Sequence, residues 1–282
     1  MKGDILNMKI SITPLKSRSQ PVIAGIIFLL SYVPALFWMW DRWFTRDSYY
    51  SHGILIPLVT AFLIWQKKDE LKIIAPQRSG WGLPLIVIGV LIHLMSSLLR
   101  IYFSSGFSML IVLVGLILHF YGSAILKKII FPIAFLFFMI PLPLVVIVNI
   151  SFKMKLFAAD IAAKLLNYMG LLAVREGSII QMRHAYVIVD DVCSGLRSLI
   201  SLAALGSIFA YWLNGAMYKR IFLFVSTIPI AIVTNVCRVV LLASISEIWG
   251  PPYATGWIHD VSGFFVFALA FVLLYVVGKL IE

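Results

Sequence analysis

Charged residues are scarce in this chain: they make up 12% of its 282 residues, against 62% hydrophobic residues. Soluble globular domains carry about twice that fraction of charge, roughly 25%. No polar stretch is long enough to form a separate soluble domain. The composition therefore excludes a soluble globule and predicts an integral membrane protein.

Several kinds of site are also missing from the sequence. Two cysteines, of which Cys237 lies in an apolar run, do not make a disulfide framework. No set of His, Glu and Asp residues has metal-ligand spacing on one helix, and nucleotide-binding glycine-rich loops are absent, so we expect no cofactor. A net charge of +11 would suggest nucleic acid in a soluble protein. In a membrane protein it marks cytoplasmic loops, and the expected partner is the lipid bilayer.

Apolar segments recur along nearly the whole chain, and a helix of about 20 apolar residues crosses a bilayer. The sequence predicts an all-α polytopic membrane protein with about eight transmembrane helices. The predicted spans are Val22–Trp40, His52–Trp65, Leu83–Leu99, Phe103–Tyr121, Ile129–Ile150, Ser194–Leu213, Ile221–Ile245 and Trp257–Val277. The second span is short, and Pro57 predicts either a kink in it or a helix partly buried in protein. Pro132, Pro141 and Pro143 predict that the outer half of the fifth span is broken or irregular.

The distribution of basic residues predicts the orientation of these spans. Lysine and arginine outnumber acidic residues in the loops that face inward if the N-terminus is cytoplasmic. We therefore expect residues 1–20 to form a cytoplasmic tail and residues 21–282 a single transmembrane domain, with both termini in the cytoplasm. The first span is long for a signal-peptide core and lacks a small-residue cleavage site after it, so we interpret it as an uncleaved helix.

Residues 151–192 form the longest polar excursion, and the predicted orientation places it outside. Apolar residues recur at helical spacing from Phe152 to Met169, which predicts an amphipathic helix in the membrane interface. Ser178–Met182 and Tyr186–Val189 are short β-branched runs and predict a β-hairpin. That hairpin would deliver the chain to Cys193, just before the sixth span.

Cys193 begins a polar motif at the outer start of the sixth span. The free amides and the dipole of a helix N-terminus favour the thiolate form of cysteine. Arg197 lies one turn further on the same helix face and adds positive potential, whereas Asp190 and Asp191 act in the opposite direction. A structural alternative is that Cys193 is simply a small buried residue.

Arg238 and His259 are predicted at the same membrane depth as Cys193. Counted from Arg220, Arg238 lies roughly 27 Å along the seventh helix, and Asn235 shares its face. Histidine is the side chain best suited to exchange protons near neutral pH, and Gly263 leaves space one turn after His259. The alternatives are a snorkelling arginine and a structural interfacial histidine.

The other histidines differ in predicted position. His93 and His119 are far from Cys193 in depth, whereas His184 lies outside and is a rival base. His52 opens the second span on the outer side in a motif with Tyr49 and Ser51. We interpret these three residues as supporting a substrate cavity.

Four motifs together resemble the exosortase/archaeosortase family of membrane-embedded cysteine transpeptidases, from about Trp40 to the last span. They are Asp47-Ser48-Tyr49-Tyr50-Ser51-His52-Gly53, Cys193-Ser194-Gly195-Leu196-Arg197-Ser198, Asn235-Val236-Cys237-Arg238 and His259-Asp260-Val261-Ser262-Gly263. The resemblance implies a catalytic set of Cys193, Arg238 and His259, in which histidine at the third position matches the bacterial exosortases. Substrate-binding or supporting roles then fall to Tyr49, Ser51, His52, Gly195, Arg197, Asn235 and Gly263.

The resemblance also implies a substrate and a location. Such enzymes act on secreted proteins that end in a PEP-CTERM-like sorting signal: a short motif, a transmembrane helix and a basic tail. They cut at the outer face of the bacterial cytoplasmic (inner) membrane and transfer the new carboxyl end to a surface acceptor through a thioester. The chain ends at its last span, so any periplasmic partner protein is expected to be separate.

Two alternative functions follow from the same residues. An intramembrane cysteine hydrolase would need nearly the same side chains and would cleave without transfer. A non-enzymatic transporter would instead spread its polar residues through the depth of the bilayer. The clustering predicted here at one membrane face favours the enzyme.

Overall fold

The computed structural model of this protein describes residues 16–46, 48–189, 194–254 and 257–282. These residues form mostly helices: α1 Lys16–Ser31, α2 Val33–Phe44, α3 Leu55–Gln66, α4 Lys68–Ile73, α5 Gly82–Leu98, α6 Tyr102–Phe120, α7 Ser123–Phe135, α8 Leu144–Tyr168, α9 Leu196–Trp212, α10 Met217–Trp249, α11 Pro251–Ala254 and α12 Trp257–Ile281. Ser51–Ile54 and Leu136–Met139 are 3-10 turns, and the strands are β1 Val174–Glu176, β2 Ile179–Gln181 and β3 Tyr186–Ile188.

Three helices in the described residues, α6, α10 and α12, are long and apolar enough to cross a membrane. The number rises to five if two bent pairs, α1 with α2 and α7 with α8, each form one span. Three shorter apolar helical stretches remain: Ser51–Gln66, α5 and α9. The eight predicted spans correspond to these three long helices, two bent pairs and three shorter stretches. The all-α polytopic membrane class is confirmed.

The first predicted span is bent by 57° between Ser31 and Val33 and is therefore two helices. Two local causes are visible. Pro34 lacks the backbone N–H that would continue the helix across Tyr32. The Ser31 hydroxyl donates to the carbonyl of Ile27 at 2.8 Å, a backbone contact that bends helices.

The fifth predicted span is broken, as its prolines indicated. Helix α7 passes through a 3-10 turn into an extended stretch ending at Pro143, and the two helical arms differ in direction by 82°. The amphipathic helix predicted beyond it is the end of the 25-residue helix α8. Ala159 and Leu166 on its apolar face are buried, whereas Phe152 and Met169 are exposed.

The predicted hairpin is present as β2 and β3, and β1 adds a strand that the sequence pattern did not reveal. The sheet is antiparallel with the order β1-β2-β3, and Ile180 pairs with Val187. One face of the sheet joins a buried cluster with α8 and α10. The cluster consists of Ala159, Ala162, Ala163, Leu166, Ala173, Ile180, Val189, Val239 and Ala243.

The chain divides into two compact units. The first comprises Met1–Trp38 and Lys67–Ile130, and the second comprises Met39–Gln66 and Phe131–Glu282. In the first unit, α5 and α6 pack closely because glycine lies at their contacts. A Cβ added at Gly89 would come within 2.5 Å of a Val112 methyl group, which makes this a small-residue helix interface.

In the second unit, α9, α10 and α12 pack around a shared apolar core. Leu202, Ala231, Ala270 and Leu274 are all fully buried there. Polar residues gather instead at the start of α9, along α10 near Arg238 and at the start of α12. The three helices thus bring together three of the sequence motifs.

Candidate active site

Arg238 is the one buried cation among the described residues of the second unit, with 8% of its surface exposed. Its guanidinium binds the first two turns of α12: Nε donates to the Ser262 hydroxyl at 3.0 Å, and Nη2 donates to the His259 carbonyl at 3.0 Å. The Ser262 hydroxyl in turn donates to the same carbonyl at 2.7 Å. Two helices separated along the chain are therefore held in register by one side chain.

The imidazole of His259 also contacts Arg238, with Nη2 and Nε2 at 3.2 Å. A guanidinium is only a donor, so Nε2 of His259 must be the acceptor. Arg238 therefore donates to an imidazole nitrogen that a proton transfer at His259 would use.

A cavity of about 620 Å³ opens beside this pair. Its described lining is rich in charged and hydroxyl groups: Arg46, Ser51, Arg197, Ser198, Ser201, Arg238, His259, Gly263, Phe264 and Phe267. Three guanidinium groups and no carboxylate are found among these lining residues, so they give the cavity a positive potential that favours an anion. At Gly263, a Cβ would lie 3.4 Å from Arg238 Nη2, so glycine leaves the guanidinium uncrowded.

The start of α9 packs against α10 close to Arg238. Gly195 has φ +81°, and a Cβ there would come within 2.8 Å of Asn235 Cγ, so both conformation and space require glycine. Ser194 is 1% exposed, and its hydroxyl accepts from the Leu196 amide at 3.3 Å. The residues that immediately follow Cys193 thus contact the helix that carries Arg238.

Several residues of the predicted site lie outside the described residues. They are Cys193 itself, the acidic pair Asp190 and Asp191 before it, and Asp47 of the first motif. The side chain of Asp260 is likewise outside. Their assigned roles stay predictions.

Asn235 was predicted to share a cavity with Arg238, and the structure places it beside a different one. It is 3% exposed and, with Ser194, lines a cavity of about 300 Å³ next to α8. The rest of that lining is Lys153, Met154, Phe157, Ala158 and Ile232. Asn235 therefore contacts the start of α9 and does not line the cavity of Arg238.

The first motif reaches the larger cavity through two of its three predicted residues. Ser51 lines it directly. His52 does not line the cavity itself but contacts a lining residue: its Nδ1 lies 3.1 Å from the hydroxyl of Ser201. Tyr49 is half-buried and is not among the described lining residues.

The sequence patterns missed several residues of this cavity. Ser198 and Ser201 follow Ser194 and Arg197 at helical spacing and form a polar stripe on an otherwise apolar helix. That periodicity was sufficient to identify them. Arg46 carries no comparable signal, since it ends a stretch rich in aromatic residues where a basic residue is commonly a membrane-surface anchor.

Comparison with known families identifies the family of the chain. A family model described as transmembrane exosortase matches residues 22–276. No curated protein and no solved structure matches the chain. The matched range covers most of the chain and includes every described residue of the larger cavity, and the chain therefore belongs to the transmembrane exosortase family.

Proposed function

We propose that this protein is a membrane-embedded cysteine transpeptidase with Cys193 as nucleophile, Arg238 as cation and His259 as proton carrier. The observation that carries the proposal is the contact between the Arg238 guanidinium and the His259 imidazole at the edge of a polar cavity. A buried cation is costly in an apolar helix bundle and calls for a functional reason.

The position of the chain next to Cys193 supports its role. Gly195 lies against Asn235, which is three residues before Arg238 on α10. Two residues of extended chain span at most about 7 Å, so the nucleophile is attached within short reach of that contact. Arg197 lines the cavity from the first turn of α9, and its charge favours a thiolate.

The first half-reaction forms a thioester. His259 accepts the thiol proton, and the resulting thiolate attacks the carbonyl carbon of the scissile peptide bond. The carbon–nitrogen bond breaks, and His259 passes its proton to the departing amine. His259 ends this step neutral, and Cys193 carries the acyl group.

Arg238 acts on two groups in this step, the oxyanion of the intermediate and the imidazole of His259. In the resting arrangement its Nη2 occupies the acceptor nitrogen of His259. When the substrate carbonyl enters the cavity, the guanidinium moves toward its oxygen, which frees Nε2 to accept the thiol proton, and the guanidinium then stabilises the oxyanion that the attack forms. An alternative role for Arg238 is to bind a carboxylate of the sorting motif, for which its bidentate geometry is equally suited.

The second half-reaction releases the product. An acceptor nucleophile gives its proton to His259 and attacks the thioester, and the carbon–sulfur bond breaks to restore the thiolate. If water is the acceptor, the enzyme is a hydrolase and leaves a free carboxylate. If a surface molecule is the acceptor, the new C-terminus gains mass, which mass spectrometry of the target distinguishes.

The substrates proposed are secreted proteins with a C-terminal sorting signal, made of a PEP-CTERM-like motif, a transmembrane helix and a basic tail. Membership of the exosortase family and the apolar helices support this substrate class. We place the reaction at the outer face of the bacterial cytoplasmic membrane, with both chain termini in the cytoplasm. The charge distribution of the loops supports this orientation.

Replacement of the nucleophile tests the proposal most directly. Cys193→Ala is expected to stop processing of a reporter that carries a sorting tail from the same genome, with unchanged membrane insertion. Cys237→Ala is the matched control, because Cys237 is the exposed cysteine of α10, and it should process normally. Processing that continues with Cys193→Ala would remove the assignment.

A further inference from the structure

The three-stranded sheet leads directly into the segment that carries Cys193. Strand β3 ends at Ile188, and Val189 still donates its amide to the Ser178 carbonyl at 2.9 Å. Val189 is 1% exposed and belongs to the buried cluster under the sheet. Only residues 190–192 separate this fixed point from the cysteine.

One carboxylate fixes the turn of the β2–β3 hairpin to α10. The Glu247 side chain is 8% exposed and accepts from the His184 amide at 3.2 and 3.0 Å, one distance for each oxygen. His184 Nδ1 lies 2.9 Å from Oε1, and the Ala185 backbone also hydrogen-bonds to the carboxylate. The predicted rival base His184 is therefore engaged here and does not line the cavity of Arg238.

The far side of the sheet has its own attachment. Arg175 of β1 donates from Nη1 to the Leu156 carbonyl at 3.3 Å, and its Nε lies 3.7 Å from an oxygen of Asp160 on α8. With the apolar cluster beneath, the sheet is held to α8 without Glu247. Glu247 is half-buried, and both of its carboxylate oxygens are bound by the hairpin turn, so the carboxylate fixes the geometry of that turn on α10.

The helix that provides Glu247 also provides Arg238. Nine residues separate them, about 13 Å along the axis and on opposite faces of the helix. One face of α10 therefore presents the cation to the cavity, while the other face anchors the sheet. We propose that Glu247 is a positioning residue that fixes the hairpin, and through it the Cys193 segment, relative to Arg238. This inference rests on the proposed function for the identity of the nucleophile.

The test compares Glu247→Ala and His184→Ala with Glu176→Ala, a control that removes an exposed carboxylate of β1 whose hydrogen bond to Gln181 is 3.4 Å long. Displacement of a catalytic group by about 1 Å costs roughly 100-fold in rate. We expect Glu247→Ala to lower kcat about 100-fold with KM within about twofold. His184→Ala, which keeps the backbone donors, should lower kcat about tenfold, and Glu176→Ala should leave both constants unchanged.

A second readout does not depend on catalysis. In a Cys237→Ala background Cys193 is the only cysteine, and a nitroxide attached to it reports the mobility of its segment. Glu247→Ala should sharpen the electron paramagnetic resonance spectrum, Glu247→Gln should have a smaller effect, and Glu176→Ala none. An unchanged spectrum and kcat in both Glu247→Ala and His184→Ala would overturn the inference. Equal loss in Glu176→Ala would do the same.

Thermal unfolding in detergent distinguishes a displaced Cys193 segment from an unfolded protein. His184 is 71% exposed, so its replacement removes no core packing, and it carries the test if Glu247→Ala fails to fold. Failure of the proposed function has a different signature, namely full activity of Cys193→Ala. The mobility measurement keeps its meaning in that case, because it concerns the anchored segment alone.

Discussion

Two half-buried histidines, one in each compact unit, have different surroundings. In the first unit, His93 Nδ1 lies 2.8 Å from the Ser105 hydroxyl, and its ring lies 4.1 Å from that of Tyr32. Tyr32 bonds the Ser108 hydroxyl at 2.9 Å, and Ser108 donates to the Ser105 carbonyl at 2.7 Å. In the second unit, His259 contacts the cation Arg238 at the edge of a cavity.

The difference shows what separates a structural polar cluster from a reactive one within apolar helices. The polar groups of the first cluster (Tyr32, His93, Ser105 and Ser108) bind one another. None of these four residues lines either cavity described above. Such a network stabilises helix packing. The second cluster directs a charge and a base at open space, which is what a chemical step requires.

The largest expected effect contrasts the two histidines. His259→Ala should lower kcat/KM by about 10²–10⁴-fold, because the proton carrier of both half-reactions is lost. His93→Ala should leave kcat/KM of the folded fraction unchanged and lower the thermal unfolding temperature, because it leaves the Ser105 hydroxyl without this partner. The measurements are steady-state kinetics and thermal unfolding of the purified proteins in detergent.

This contrast has a clear counter-result. If His93→Ala reduced kcat/KM as strongly as His259→Ala at an equal folded fraction, the first cluster would have a catalytic role. The distinction drawn from the cavities would then be wrong.

The next effect tests whether the shape of the cation matters as well as its charge. Arg238→Lys keeps a positive charge but cannot reproduce the fork that reaches Ser262 and His259 together. We expect kcat to fall about 10²–10³-fold, as for loss of an oxyanion donor. The measurement is single-turnover thioester formation, and near-normal rates with lysine would reduce the role of Arg238 to a point charge.

The smallest effect concerns the hydroxyl that orients the guanidinium. Ser262→Ala removes the partner of Arg238 Nε and leaves the two Nη2 contacts in place. A hydrogen bond to a charged group contributes about 1.5 kcal/mol, so we expect a loss in kcat of roughly tenfold. Ser207→Ala on α9 is the control, since its hydroxyl bonds only the local Ala204 carbonyl among the described residues. A loss as large as that of Arg238→Lys would show that the serine has more than an orienting role.

Much of the fold was predictable because apolar length and periodicity are local properties. The apolar segments, the break at Pro141 and Pro143, and the β2–β3 hairpin all follow from residues close in sequence. The approach of Arg238 to His259 was predictable for a related reason. Both residues were assigned a depth along helices of known rise, and neighbouring helices bring equal depths together.

The remaining features depend on rotation and on distant partners, which helical depth does not determine. Asn235 shares a helix face with Arg238 within one turn, yet the close approach of Gly195 directs it to another cavity. Glu247 has no motif, and its role arises only when a hairpin turn more than sixty residues earlier folds onto it. The bend at Tyr32 was not predicted because it depends on two residues together, the hydroxyl of Ser31 and the missing N–H of Pro34.

Helix α10 has 33 residues and is therefore about 50 Å long, well beyond the roughly 30 Å thickness of a hydrocarbon core. Such a helix responds to thicker or thinner lipid by tilting. Pro229, the internal proline of α10, precedes both Arg238 and Glu247, so the stretch between them turns as one rigid rod. Arg238 and Glu247 then move together, so the distance between them does not depend on the lipid composition of the host membrane.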